Sequence, residues 1–201
     1  MDPQKRWDLN ASAYDRWTAP MEMMGGRRWR EVLFTELPQG RILELGVGTG
    51  ANIEHYPHNN RTYAGIDISP KMLKYARERA DRLHRPVELM VMDAQRMAFP
   101  GETFDAILST FVFCSVPDPI QALREARRVI KKSGLALFLE HMRPEGEILG
   151  RAFDALNPVT LKLMGVSINR RTVENIRFAG FEIIEERLLF STIFRFIMAK
   201  P

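Results

Sequence analysis

The amino-acid sequence predicts a doubly wound α/β domain, and three observations carry that expectation. Short apolar runs alternate with amphipathic segments along the chain from about residue 40. The first run, Ile42, Leu43 and Leu45, breaks at once into Gly46-Val47-Gly48-Thr49-Gly50. The second run, Thr62 to Ile66, ends in Asp67, about 20 residues past the glycine turn, where an acidic residue is placed to accept the hydroxyls of a ribose.

Before the first strand, Trp7, Ala11, Tyr14 and Trp17 share one face of a helix while Arg6, Asp15 and Arg16 lie off it. Gly25-Gly26 separates this amphipathic segment from a helix over Arg27 to Leu37. After the glycine turn, Ala51 to Tyr56 reads as a short helix ended by Pro57 and Asn59-Asn60. Ser69 is an N-cap followed by Pro70 in the first helical position, and Met72, Leu73 and Ala76 give that helix its apolar face. Val87 to Met92 is a third strand closed by Asp93, and Phe104 to Ser109 a fourth that runs into Thr110, Phe111 and Cys114.

Asp118-Pro119 starts a further helix in the same cap-then-proline way. Ser133-Gly134 turns into a fifth strand, Leu135 to Leu139, which delivers Glu140 and His141 to the carboxyl edge of the sheet. The alternation then pauses: residues 142–168 are a proline-punctuated, largely apolar insertion expected to roof the substrate side. A helix begins at Asn169 to Thr172, and Phe181 to Glu186 with Thr192 to Met198 supplies a terminal strand pair. The count is about seven strands in one domain: residues 1–38 form an N-terminal helical lid or membrane-facing segment and residues 39–201 the sheet domain.

Glycines at alternate positions permit backbone torsions closed to other residues and let a ligand lie against the main chain. Glu44 beside that turn suits a cationic ligand better than a pyrophosphate. Through Glu44 to Gly50, Gly65-Ile66-Asp67-Ile68-Ser69 and Val91-Met92-Asp93-Ala94, the chain resembles the class I S-adenosylmethionine-dependent methyltransferases. That resemblance implies a Rossmann-like, mostly parallel sheet with one reversed strand near its end, and S-adenosylmethionine as cofactor with S-adenosylhomocysteine as product. It further implies that Glu44, Gly46, Val47, Gly48, Gly50 and Asn52 enclose the methionine part and that Asp67 holds the ribose. Asp93 and Ala94 then meet the adenine, with Ile68, Met72 and Thr110 completing the cofactor site.

Composition narrows the rest. The 201 residues suffice for one domain with a sizeable core. The net charge of +4 is spread out, without the basic stripe of a nucleic-acid binder. No apolar run approaches the ~20 residues that cross a bilayer, and the first residues do not form a signal peptide. The lone Cys114 excludes an internal disulfide and agrees with a reducing cytoplasm. His55 and His58 lack a cysteine or carboxylate at ligand spacing, so no metal is expected.

Methyl transfer from a sulfonium is a direct displacement, so the chain has to align an acceptor and exclude water. Cys114 reads as a pocket wall, not a nucleophile. Tyr14, Glu140 and His141 are the candidates for relieving an acceptor of its proton; Glu140 could equally order the strand end, Tyr14 pack on the cofactor, and His141 be only a loop histidine. Trp17, Phe111 and Cys114 are expected to border the acceptor, and Arg143, Arg170 or Arg171 to meet a phosphate.

Three further stretches, Phe113 to Asp118, Leu123 to Val129 with Glu140-His141, and Asn169 to Asn175 with Ala179-Gly180-Phe181, resemble bacterial phosphatidylethanolamine N-methyltransferases and related membrane-associated methyltransferase-like proteins. The resemblance implies a phospholipid acceptor at an anionic or zwitterionic membrane surface and a peripheral, cytoplasmic location. On that reading Trp7 and Trp17 settle at the interface together with the basic residues Lys5, Arg6, Arg16, Arg27, Arg28 and Arg30. The alternatives are a soluble methyltransferase of a small thiol, amine or quinone, whose N-terminal helix is only a lid, and a cofactor-fold module kept for binding partners. The joint presence of Glu44, Gly46, Gly48, Asp67 and Asp93 disfavours the module.

Overall fold

Two strands that are buried on both faces, β1 (Gly40–Leu45) and β4 (Phe104–Thr110), form the centre of the molecule. In the computed structural model, which describes residues 2–57 and 59–201, they sit inside a seven-stranded sheet. The other strands are β2 (Arg61–Asp67), β3 (Glu88–Val91), β5 (Ile130–His141), β6 (Glu182–Phe190) and β7 (Phe194–Lys200), and the order is β3-β2-β1-β4-β5-β7-β6. The β1, β2, β3, β4 and β5 pairings are parallel, while β7 runs antiparallel to both β5 and β6. The reversal follows from connection length: only residues 191–193 separate β6 from β7, which is hairpin length, whereas a parallel return needs a dozen residues or more.

Alternation along each strand sends side chains to two cores. Ile42, Leu108 and Leu137 pack with Leu33 of α3 (Arg27–Thr35) and Leu73 of α4 (Pro70–Arg82). Leu43, Ile107 and Phe138 pack on the opposite face with Leu123 of α5 (Pro119–Val129) and Ile176 of α7 (Thr172–Phe178). The expected caps form: Ser69 Oγ accepts from Met72 N at 3.1 Å and Asp118 Oδ1 from Gln121 N at 2.9 Å. Three helices, α1 (Pro3–Asn10), α2 (Tyr14–Met21) and α6 (Glu147–Met164), contribute residues to a cavity beyond the carboxyl ends of the strands.

Four local expectations change. The N-terminal helix is two helices, because Asp8 is drawn to the start of α4, accepting from Ser69 Oγ and Lys71 N, while Asp15 is held by Thr49 and Arg79. The chain bends at residues 11–13 to reach both. The helix expected over Ala51 to Tyr56 is a single 3-10 turn, Ile53–His55. Ser133-Gly134 does not begin the fifth strand but lies within it: β5 pairs from Ile130 and bulges opposite Asp105, where a Cβ on Gly134 would stand 2.9 Å from the Asp105 carbonyl. The insertion is one 18-residue helix containing Pro158, anchored by the side chains of Asp154 and Asn157 just before the proline.

Candidate functional site

The cavity at the carboxyl edge has a volume of about 290 Å³. Its floor is built where β1 and β2 end. All three turn glycines take positive φ, but for different reasons. A Cβ on Gly46 would lie 2.7 Å from Val112, and one on Gly50 would lie 2.6 Å from Ile53, so these two let the turn pack against its own scaffold. A Cβ on Gly48 would meet nothing closer than Tyr14 at 3.9 Å; the bare backbone of Gly48 faces the cavity.

Asp67 stands beside it. Its Oδ2 accepts from Gly48 N at 2.9 Å and its Oδ1 from Ser69 N at 2.8 Å, which fixes the carboxyl at the cavity wall. Burial pushes the Asp67 pKa up to about 6, against the opposing pull of those two amides. Asp93 lines the same wall, its Oδ1 accepting from Gln95 N at 2.8 Å, next to Ala94; Ile68, Met72 and Thr110 complete this side.

Glu44 is 2% exposed and faces a small adjoining chamber of about 30 Å³ together with Val47 and Asn52. Its carboxyl accepts from Asn52 Nδ2 at 2.9 Å and from the Tyr56 hydroxyl, and burial lifts its pKa to about 7. Gly50 lines neither chamber. The unexpected member is Arg30. Grouped in the sequence with the interfacial cations, it is instead 5% exposed, donating to Asn52 Oδ1, to Thr110 Oγ1 at 2.8 Å and to Glu22 Oε1 at 2.6 Å. Its place on the buried face of α3 beside Leu33 and Phe34 is the one signal in the sequence that could have separated it from Arg27 and Arg28. The small chamber thus carries an arginine, two carboxyls and an amide within one linked set.

The opposite wall is apolar. Trp7, Tyr14 and Trp17 meet there despite lying on two helices, with Trp7 and Tyr14 edge-to-face at 6.0 Å between centroids, and Met21, Phe111, Met164 and Val166 join them. Trp29, by contrast, is buried against Phe194 at 4.9 Å. His141 lines this wall, and desolvation lowers its pKa to about 4, so it is neutral at pH 7. Burial raises the Tyr14 hydroxyl and the Cys114 thiol well above their ordinary values. The Cys114 thiol donates to Phe111 O at 3.3 Å and lines the cavity in its protonated form.

The structure does not bring Glu140, Arg143, Arg170 or Arg171 to the cavity wall. Glu140 is fully buried beneath it, Oε1 accepting from Ser109 Oγ at 2.9 Å and Val112 N at 3.1 Å, and desolvation raises its pKa to about 8. It therefore ties the end of β5 to the segment after β4. Arg143 is spent on Asp154 at 2.8 Å, Arg170 donates to Val116 O at 2.8 Å, and Arg171 is exposed at the residue before α7, where its side chain makes no cap. His55 stacks on Phe34; His58 lies outside the described residues. Among the described residues no three metal-ligating side chains cluster, and no helix is long and apolar enough to cross a membrane.

Residues 43–138 match the family described as Methyltransferase domain. A phosphatidylethanolamine N-methyltransferase of Cereibacter sphaeroides is 36% identical over 67% of this chain and 68% of its own length. A demethylmenaquinone methyltransferase of Thermotoga maritima is 27% identical over 95% of this chain and 93% of its own. The fold is also that of an S-adenosylmethionine-dependent methyltransferase of known structure from Thermotoga maritima, with a TM-score of 0.75 at 22% identity, covering 99% of both chains.

Proposed function

The chain belongs to the class I S-adenosylmethionine-dependent methyltransferases, and from that premise we propose that it N-methylates the amine headgroup of phosphatidylethanolamine and its partly methylated forms at a membrane surface. S-adenosylmethionine supplies an electrophilic methyl group on a sulfonium.

The residues present suit that cofactor. Bare backbone at Gly48 leaves room for a ligand against the turn, and the Asp67 carboxyl beside it keeps lone pairs free for two sugar hydroxyls. Asp93 and Ala94 would face the base. The small chamber offers Arg30 to a carboxylate and Glu44 to an ammonium, the two charges of an amino-acid end.

The observation that carries the acceptor class is the wall opposite. Trp7, Trp17, Met21, Phe111, Met164 and Val166 make an apolar passage from the glycine turn to the exposed ring of Trp17. An acyl-chain-bearing amine fits such a passage, and the membrane location follows from the same surface. An alkylammonium, with an ordinary pKa of about 10, has to shed a proton before it can attack. That proton goes to solvent before the amine enters, because His141, its pKa lowered to about 4, stays neutral on this wall; the His141 imidazole and the Tyr14 hydroxyl can accept hydrogen bonds from the amine N–H groups and orient its lone pair toward the methyl. The protonated Cys114 thiol leaves the methyl to the acceptor.

The test is incubation with methyl-labelled donor and vesicles containing phosphatidylethanolamine, beside a demethylated menaquinone and a panel of small thiols. Label in the phospholipid headgroup is expected; label confined to the quinone or a thiol would overturn the acceptor assignment.

A further inference from the structure

Helix α6 is folded inside out. Two of its polar side chains anchor it to the protein: Asp154 pairs with Arg143 and accepts from Asn169 Nδ2, and Asn157 Oδ1 accepts from Ser167 Oγ at 3.0 Å and Ile168 N at 2.9 Å. Gly150 is buried under the Arg143 guanidinium, where a Cβ would lie 2.4 Å from Nη1. The apolar side chains face away. Ile148 is 90% exposed, Leu156 54%, Val159 53% and Leu163 74%. With exposed Ala152 between them, these positions repeat at helical spacing and form one stripe along a helix of 18 residues, roughly 27 Å at 1.5 Å per residue. A helix that only roofed a pocket would present the opposite pattern, with its apolar side turned inward.

We infer that this stripe of α6 is the element that seats the protein in a phospholipid bilayer, lying flat with its apolar side chains among the acyl chains. The inference rests on the membrane part of the function proposed above and moves the principal contact from the N-terminal helix to α6. Two observations favour a bilayer over a protein partner. The stripe runs into the cavity mouth: Met164 and Trp17 are both half exposed and both line the cavity, so a protein seated on the stripe would cap the passage that a lipid must enter. Basic side chains without an ion pair among the described residues also flank it, while the exposed carboxylates of α6, Glu147 and Asp154, lie off the stripe and are paired with Arg151 and Arg143. Lys162 at the end of α6 and Lys5 and Arg16 on the adjoining helices are exposed, Arg6 donates to Leu161 O at 3.0 Å, and the stripe carries no acidic side chain.

The test uses the full chain and the variant Ile148→Gln/Leu156→Gln/Leu163→Gln, whose substituted side chains are all exposed, so the fold is retained. Binding is read by flotation with vesicles of phosphatidylethanolamine and phosphatidylglycerol, without turnover. Donor affinity by calorimetry checks that the cofactor site is intact. A second variant, Leu188→Gln/Phe190→Gln, removes two half-exposed apolar side chains from the edge strand β6. The α6 variant is expected to need at least about tenfold more lipid for half-binding, with unchanged donor affinity, and the β6 variant to float like the wild type. Equal flotation of wild type and α6 variant, failure of the wild type to float, or a wild-type dimer that the α6 variant dissociates without losing vesicle binding would each overturn the inference. Loss of flotation in the α6 variant together with no label in any phospholipid would leave the α6 seat standing and remove the phospholipid acceptor instead.

Discussion

The two walls of the cavity are held in place by different physics. The wall made by the ends of β1, β2 and β3 is polar and fixed: Asp67 is clamped by two backbone amides, Asp93 by Gln95, and Glu44 by Asn52 and Tyr56. The wall made by α1, α2 and α6 is apolar toward the cavity, and its two N-terminal helices are fastened mainly at the rim, through Asp8 to Ser69 and Asp15 to Arg79, with Arg6 joining them to Leu161 of α6. A small set of charges and hydroxyls in a known arrangement needs a preorganised receptor, whereas a lipid-like acceptor needs a passage that can admit it. The rigid side is where the cofactor is proposed to lie, and the loosely fastened side is where the acceptor is proposed to enter.

The sharpest break in that comparison comes from two glycines two residues apart. Gly46→Ala would push a Cβ to 2.7 Å from Val112 at φ +61 and is expected to cost about 2–4 kcal/mol of stability in denaturant unfolding. Gly48→Ala, with no neighbour inside 3.9 Å, is expected to cost only the backbone strain, about 1–2 kcal/mol, but to weaken donor binding measured by calorimetry. If both changes acted alike, the distinction between a packing glycine and a ligand-facing glycine would fail.

Asp67→Ala should come next. Losing hydrogen bonds to a charged group is worth about 1.5–3 kcal/mol, so donor affinity should fall roughly 10- to 150-fold, with the fold retained. Because the Asp67 pKa is pushed up to about 6, wild-type donor affinity should also decline as pH falls through about 6; in the variant that step should vanish, leaving only the decline near 7 that belongs to Glu44.

Glu140 sharpens the comparison from beneath the apolar wall. Its pKa is raised from the ordinary 4.5 to about 8, so the folded chain keeps a proton that the unfolded chain releases. Stability from this group is therefore present at low pH and lost as pH rises from about 4.5 to about 8. His141 has the opposite sign, because lowering its pKa from 6.5 to about 4 makes stability rise between those values, an effect complete above 6.5. The melting temperature should consequently fall between pH 6.5 and 8.5, and Glu140→Gln, which imitates the protonated carboxyl, should flatten that fall. An unchanged slope in the variant would show that Glu140 is not the group responsible.

The smallest effect belongs to the rim. The Asp15 carboxylate is half exposed in its pair with Arg79, so Asp15→Asn should cost under about 1 kcal/mol globally while speeding amide exchange in α1 and α2. Uniform protection across both walls would contradict the view that one is fastened more loosely.

The same division explains what was legible in the sequence. The glycine turn, the acidic strand ends at Asp67 and Asp93 and the proline-capped helices depend on neighbours within a few residues, and each lies where local spacing put it. Residue type alone misassigned Arg30, whose partners Asn52 and Thr110 are 22 and 80 residues away. It equally misplaced Arg143 and Arg170, which are consumed by Asp154 and the Val116 carbonyl, and Glu140, which faces inward. The insertion was recognised as apolar, but which way its stripe faces is set by Asn157 and Asp154 meeting residues 143, 167, 168 and 169, contacts that no periodicity reports. The reversed strand stood in the sequence as family resemblance only, although the few residues between the last two apolar runs already excluded a parallel crossover.

A crystal structure of the chain with S-adenosylhomocysteine tests the central claim most directly. The sugar hydroxyls are expected on the Asp67 carboxyl, the backbone of Gly48 against the ligand, and the sulfur directed toward the wall that holds Tyr14 and His141. A ligand bound elsewhere, or one at this edge with the Asp67 carboxyl turned away from its sugar, would contradict it.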